Sequence, residues 1–189
     1  MPTRILVDAN VLMSRILRDA VLILQIEAPG MFSTCWTEDI LTETLYHVRR
    51  NNQQLSGDQM VRIRELITGS MTEQISSYEI VDLDGLRDPD DRHVHSAAVA
   101  GAVAMVVTQD RDFLDLDDEV ADGLPYDILS IDDFLVLADD SGPAHVRRMV
   151  ARQWEYWRKR DPAADLPARF RLANCPRFAA RVAAHVLNL

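Results

Sequence analysis

Lysine is almost missing from this chain: of its twenty cationic side chains nineteen are arginine, and the single lysine, Lys159, lies towards the C-terminus. Cysteine is scarce too. Cys35 and Cys175 have neither a metal-ligand spacing nor the density of a disulfide scaffold, so both are expected reduced and structural. No apolar stretch approaches the roughly 18 to 20 residues of a membrane span, and Met1 to Asp8 enters a strand pattern without a signal-peptide profile. A cytoplasmic protein with no membrane association is the expectation. Internal repeats and low-complexity linkers are also lacking.

What is present suffices for an ordinary globular domain plus an appendage: 189 residues, 48% of them hydrophobic. The net charge of −10 conceals a division. Residues 143–189 carry ten Arg/Lys against three Asp/Glu, a net of +7, whereas residues 1–142 carry ten against twenty-seven, a net of −17. An acidic body repels polyanions, so a nucleic-acid substrate would need bound metal and the basic tail for its attraction. The tail is free to bind RNA, an acidic partner or its own chain's acidic body, and simple electrostatics favours the last. The arginine bias suits bidentate contact with phosphate or carboxylate, or equally reflects GC-rich coding.

Hydrophobic periodicity gives the organisation. Arg4 to Val7 reads as a first strand, and Leu12, Ile16, Val21, Leu22 and Leu24 as a helix ending before Pro29-Gly30. Met31 to Cys35 is a second strand. Thr37 caps a helix through about Val48, and a further helix runs from about Asp58 to Ile67, with a short helix expected near Thr72. Glu79 to Leu83 reads as the next strand. Asp88-Pro89-Asp90-Asp91 opens a helix carrying Val94, Ala97, Ala98 and Gly101, small enough to lie close to a sheet. Ala104 to Thr108 is strongly strand-like; a loop is expected over Gln109 to Phe113, and the acidic run Asp115 to Asp122 reads as solvated loop. Asp127 to Leu129 forms a last strand, and Ile131 to Leu137 a helix capped by Ser130. Alternating strands and helices indicate an α/β fold with a parallel sheet. Residues 1–137 form the main domain. After Asp140-Ser141-Gly142-Pro143 a basic helical extension, 143–189, carries Val146, Met149, Val150, Trp154 and Trp157 at helical spacing. Such aromatics more often pack than stack on bases.

Four carboxylates then stand out. Asp8 and Asp110 follow strands, at the sheet edge where ligands bind in open α/β folds, while Asp91 and Glu43 lie in helical patterns that reach the same crevice. Four acids in one place repel each other unless a divalent cation offsets them, which points to metal-dependent phosphodiester hydrolysis. Hard oxygen ligands select Mg²⁺ or Mn²⁺ over zinc. Asp88 and Asp90 are read as caps. His93 and His95, without a third ligand at metal spacing, are read as exposed or locally hydrogen-bonded; His47, one turn after Glu43, is within reach of the crevice but reads by default as a helix-surface residue.

Three segments carry a family resemblance: Val7-Asp8-Ala9-Asn10-Val11-Leu12, Asp88-Pro89-Asp90-Asp91-Arg92-His93-Val94, and Val107-Thr108-Gln109-Asp110-Arg111-Asp112-Phe113. In order and spacing they resemble the PIN-domain ribonucleases, especially the VapC-type toxins of bacterial toxin–antitoxin pairs. The tail, with Cys175-Pro176-Arg177-Phe178-Ala179, resembles the C-terminal extension of a longer actinobacterial subgroup. The resemblance implies a PIN-like domain with a central parallel sheet flanked by helices, and a metal-dependent endoribonuclease. Its metal and catalytic acids correspond to Asp8, Glu43, Asp91 and Asp110, with Asp112 as an accessory acid. Asn10 stands where such toxins often have Ser or Thr, and its amide oxygen is expected to bind metal or ligand water; Thr108 is expected to hydrogen-bond the acids or to serve as a β-branched strand residue. An RNA substrate, transfer or ribosomal, a small cognate antitoxin and a homodimer are further implications.

Two other readings compete. A phosphoaspartate receiver or phosphatase also places Asp after its first strand, but both need a nearby lysine, and the phosphatase needs a second aspartate where this chain has Asn10. A PIN-like fold kept as a catalytically inactive binding module is the stronger alternative; unused acids would leave their repulsion unopposed.

Overall fold

The run Ile5-Leu6-Val7 forms the heart of β1 (Thr3–Val7), and all three side chains are wholly buried, as expected of a strand covered on both faces. The computed structural model describes residues 2–189. After β1 come α1 (Ala9–Leu12), α2 (Arg15–Glu27), β2 (Phe32–Trp36), α3 (Glu38–Asn51), α4 (Gly57–Ser70) and the two-residue β3 (Glu73–Gln74). A 3₁₀ turn, Pro89–Asp91, leads into α5 (Arg92–Ala100), followed by β4 (Met105–Thr108), α6 (Arg111–Leu114), α7 (Asp118–Asp122) and β5 (Asp127–Ser130). Four helices complete the chain: α8 (Ile131–Ser141), α9 (Pro143–Arg160), α10 (Leu166–Leu172) and α11 (Pro176–Val186).

The five strands form one all-parallel sheet in the order β3-β2-β1-β4-β5. Leu6 and Val7 stand opposite Val106 and Val107 of β4, and Ile5 opposite Thr34 of β2. The chain leaves β1 for β2 on one side and reaches β4 on the other. The carboxyl ends of β1 and β4 therefore flank a topological switch point, the crevice where open α/β sheets bind ligands.

The residues group into two compact units. The first, residues 1–13 and 30–129, holds the sheet, with Ile40 and Leu41 of α3, Val94, Ala97 and Ala98 of α5, and Phe113 in its core. The second comprises 14–29 and 130–189. In it α2 and α8 cluster with the tail helices, around Leu17, Val21, Leu135, Val146, Met149 and the perpendicular pair Phe170–Phe178, whose ring centroids lie 5.0 Å apart.

Four local expectations are corrected. Glu73–Gln74 extends the sheet where a short helix was expected near Thr72, and Glu79 to Leu83 is an irregular segment, not a strand. Ile80 and Val81 remain exposed; the Val81 amide donates to Ser96 Oγ instead of a ladder partner. The expected loop at 109–113 contains the helical turn α6, and part of the acidic run forms α7. These elements are too short to show a period. Gly101 does allow a close approach, since a Cβ there would stand 2.4 Å from Cδ1 of Ile75.

Candidate active site

Asp8 follows β1 and caps α1, its Oδ1 accepting from the Ala9 amide at 2.6 Å. Oδ2 accepts from Thr108 Oγ1 at 2.6 Å and from Asn10 Nδ2 at 2.7 Å. Burial pushes the Asp8 carboxyl up to about 6: the Thr108 hydroxyl and the Ala9 amide oppose the rise, while Glu43 and Asp110 add to it.

Thr108, at the end of β4, joins two of the acids. Its hydroxyl donates to Asp8 and accepts from the Asp110 amide at 2.9 Å. Asn10 closes the same network: Nδ2 also approaches Thr108 Oγ1 at 3.0 Å, and Oδ1 accepts from the Gln109 amide at 2.9 Å. The carboxylate needs a donor and the Gln109 amide an acceptor, so these partners set the orientation of the Asn10 amide. Asn10 thus turns its nitrogen to Asp8 and one lone pair of its oxygen to the Gln109 backbone amide.

Asp110 caps α6 through Oδ1, which accepts from the Asp112 amide at 2.8 Å. Asp112 faces another way, accepting from the Asp88 amide at 3.1 Å and lying 3.7 Å from Arg87 Nε. It holds the approach to the Asp88–Asp91 segment. There Asp88 spends its carboxylate on the Asp90 amide at 2.9 Å, as expected of a cap, and the side chain of Asp91 is left without a capping bond. Asp91 is pushed up to about 7, first by burial and then by Asp110, Asp8, Asp88 and Glu43. Asp8, Glu43, Asp91 and Asp110 therefore share one electrostatic neighbourhood.

Glu43 arrives from α3, where Ile40, Leu41, Thr44 and Val48 face the core and hold the helix in place. Two histidines flank its carboxylate: His47 Nε2 lies 3.8 Å from Oε1 and His93 Nε2 lies 3.6 Å from Oε2. His93 Nδ1 is 2.6 Å from the Asp90 carbonyl, which can only accept, so Nδ1 carries the proton there. His93 Nε2 is buried without a hydrogen-bond partner. A cleft of about 530 Å³ opens here, lined by Asp39, Glu43, Tyr46, His47, Asp91 and His93 among others, with no lysine or arginine in its wall. His47, one turn beyond Glu43, carried a sequence signal for this place. Tyr46, 60% exposed, carried none beyond its spacing, and His93 became a neighbour of Glu43 only through the fold. His95 is separate, buried and 2.7 Å from the Tyr126 hydroxyl.

Among the described residues no group of three or more His, Cys, Asp or Glu side chains forms a ready-made metal cage. The donors nevertheless fit a hard cation in kind. All are carboxylate oxygens, Glu43 and Asp110 raise the pKa of both Asp8 and Asp91, and Mg²⁺ commonly takes one or two carboxylates while keeping water for its remaining positions. A PIN domain family model matches residues 4–112. The chain belongs to the PIN domain family. No curated protein matches it, and no solved structure does. PIN domains are generally metal-dependent nucleases and use divalent ions. In this PIN domain the matched span runs from β1 into α6 and contains Asp8, Glu43, Asp91, Asp110 and Asp112; α8 to α11 lie beyond it. No helix among the described residues is long and apolar enough to cross a membrane.

Proposed function

We propose that this PIN domain protein is a Mg²⁺- or Mn²⁺-dependent endoribonuclease and the VapC-type toxin of a toxin–antitoxin pair. The observation that carries the nuclease reading is that Asp8 and Asp91, both pushed up by burial, are raised further by neighbouring acids, Asp8 by Glu43 and Asp110 and Asp91 by Asp110, Asp8, Asp88 and Glu43, at the switch point of a parallel sheet. Asp8, Asp91 and Asp110 would hold the cation, with Glu43 and Asp112 at its margin. When bound, the ion polarises the phosphate and lowers the pKa of the attacking water. Thr108 and Asn10 hold the Asp8 carboxylate at a fixed angle. Glu43, with His47 and His93 beside its carboxylate, orients the water and accepts its proton. Attack by water leaves a 5′-phosphate and a 3′-hydroxyl.

The toxin role rests on the resemblance of the three acid-bearing motifs. It implies a small antitoxin whose inserted segment brings an arginine to the acids, and a homodimer. The decisive experiment incubates the purified protein with total bacterial RNA and Mg²⁺ or Mn²⁺, beside Asp8→Asn and EDTA controls, and maps new 5′ ends. Discrete cuts, in transfer or ribosomal RNA, that vanish in both controls are expected. One observation favours a second reading, a catalytically inactive binding module: among the described residues no three acids stand in ligation geometry. A melting temperature unmoved by millimolar Mn²⁺, together with no cleavage, would establish that reading.

A further inference from the structure

Seven of the ten cations of the tail fall into two kinds; of the others, Lys159 and Arg171 pair with Glu155 and Asp165 of the tail itself, and Arg147 donates to the Asn188 carbonyl. Arg148 and Arg152 both reach Glu27 at 2.9 Å, Arg177 pairs with Asp133, and Arg181 lies 3.5 Å from Asp139 and 2.9 Å from Asp140. These four are spent on acids of α2 and α8, as the charge division predicts. Arg158, Arg160 and Arg169 have no carboxylate partner among the described residues. Each lies over an aromatic ring instead: Arg158 over Trp154 at 5.2 Å, Arg160 over Tyr156 at 3.5 Å and Arg169 over Trp157 at 3.8 Å from the ring centroids. Arg15 of α2 joins them, 5.1 Å from the Tyr156 centroid and 5.3 Å from that of Trp157, with Asp19 at 3.7 Å as its one acid partner among the described residues.

Around Arg15, Trp157 and Arg169 lies a groove of about 320 Å³, lined also by Ser14, Ile16 and Leu172, with no acid in its wall; Arg158 and Arg160 are not part of that wall. Leu172 is 86% exposed, and the indole Nε1 of Trp157 is buried without a hydrogen-bond partner. A guanidinium stacked by its face keeps its N–H donors around its edge. Ring contact therefore steadies the fork and, apart from the bonds of Arg15 Nη2 to the Tyr156 hydroxyl and of Arg160 Nη1 to the Tyr156 carbonyl, leaves N–H donors for contact with an anion.

We propose that this arginine–aromatic groove, formed by α2, the end of α9 and α10, is a docking site for single-stranded RNA, the site through which the second unit captures the nuclease's substrate. The proposal rests on the ribonuclease reading. Phosphates meet the guanidinium edges, and an unstacked base meets Trp157, Ile16 and Leu172. The combination suits single-stranded nucleic acid, whose bases offer faces to stack, better than an acidic peptide, whose carboxylates offer none. It also resolves the difficulty that the acidic cleft, lacking any cation, repels the polyanion it is to cut.

The test uses the full chain in EDTA, so that nothing is cut, with a fluorescein-labelled oligouridylate of about a dozen nucleotides, reading anisotropy across a salt series and tryptophan fluorescence. Arg15→Gln/Arg169→Gln is expected to weaken binding at least tenfold and to flatten the salt dependence by about 0.7 per arginine in log–log slope. Arg158→Gln/Arg160→Gln, on exposed positions that leave the core untouched, is expected to act in the same direction. Trp157→Leu should abolish most of the RNA-induced quenching, and Arg50→Gln/Arg62→Gln on α3 and α4 should bind as the parent does. Parental affinity in both groove variants, with melting unchanged, overturns the docking site. So does equal affinity for a duplex, or displacement by polyglutamate at matched charge, which would assign the groove to an acidic protein. If the parent cuts RNA with metal while groove variants bind and cut equally well, the docking site alone fails; if the parent neither binds nor cuts RNA, the ribonuclease reading fails with it.

Discussion

Asp8 in the first unit is 5% exposed, and Asp132 and Asp139 in the second are 6% and 4% exposed, yet the three carboxylates live in opposite surroundings. Asp132 accepts from the Phe178 amide at 2.7 Å and the Arg177 amide at 3.0 Å, closing the first turn of α11. Asp139 faces His185 Nε2 at 2.7 Å, with Arg181 behind it. Both are buried acids answered by donors or cations. Asp8 has three good donors, and still burial pushes its pKa up to about 6, because the charged neighbours, Glu43 and Asp110, are acids that add to the rise where a cation would oppose it. Equal burial therefore does not mean equal purpose. A carboxylate that serves structure is matched within the fold, whereas a group of unmatched carboxylates is matched only by something added.

The sharpest break in this comparison is Asp8→Asn, expected to reduce metal-dependent RNA cleavage by at least about a hundredfold while leaving the circular dichroism spectrum unchanged. Rates near the parent's in the folded variant would remove Asp8 from the site. Next comes pH. Asp8 and Asp91 have folded pKa values raised above the ordinary 3.8, to about 6 and about 7, so the native state holds these protons more tightly than the unfolded chain. Below about pH 4 both states are protonated and the two groups cost nothing; as pH rises through 6 and 7 the native state must become charged and stability falls. For Asp8 alone the loss is about 3 kcal/mol. Melting in EDTA at pH 5 and pH 8 should show this decline, and Mn²⁺ should restore the loss at pH 8.

Asp132→Ala tests the opposite kind of acid. It leaves two amides of the α11 start without an acceptor and should cost about 2 to 3 kcal/mol, measured by urea denaturation, with the same sign in EDTA and Mn²⁺. Thr108→Val should slow cleavage about tenfold and raise the Asp8 pKa further, because the hydroxyl is the strongest influence lowering it; carboxyl titration by NMR would show the shift. The smallest effect has the reverse direction. Asp91→Asn should stabilise the metal-free protein at pH 8, by about 1 kcal/mol, or roughly 2 to 4 °C, and lose that advantage with Mn²⁺ present. Destabilisation in EDTA would mean that Asp91 is matched after all.

Strands Arg4 to Val7 and Ala104 to Thr108 were legible because continuous apolar runs ending at an acid are rare outside buried parallel strands. The Thr37 and Ser130 caps were legible from their side chains, which accept from Ile40 and Asp133. Glu79 to Leu83 misled because a short apolar-rich segment looks alike whether paired in a sheet or tied by one serine to a helix. The backbone bond of Asn10 was hidden for a related reason: its neighbour in space, the Gln109 amide, lies 99 residues away in sequence.

By itself the sequence determined the kinds of group available: acids after two apolar runs, a third at a helix start, a fourth on a helix face, and arginines in place of lysines. These are local properties, set by side-chain chemistry and spacing. Only the tertiary structure decided that β4 lies beside β1, so that Asp8, Thr108 and Asp110 share one hydroxyl, and that His93 of α5 stands against Glu43 of α3. It also decided which tail arginines are answered by acids and which rest on rings. Strand order and charge pairing are long-range outcomes of burying the whole core at once, and no local pattern in the chain encodes them.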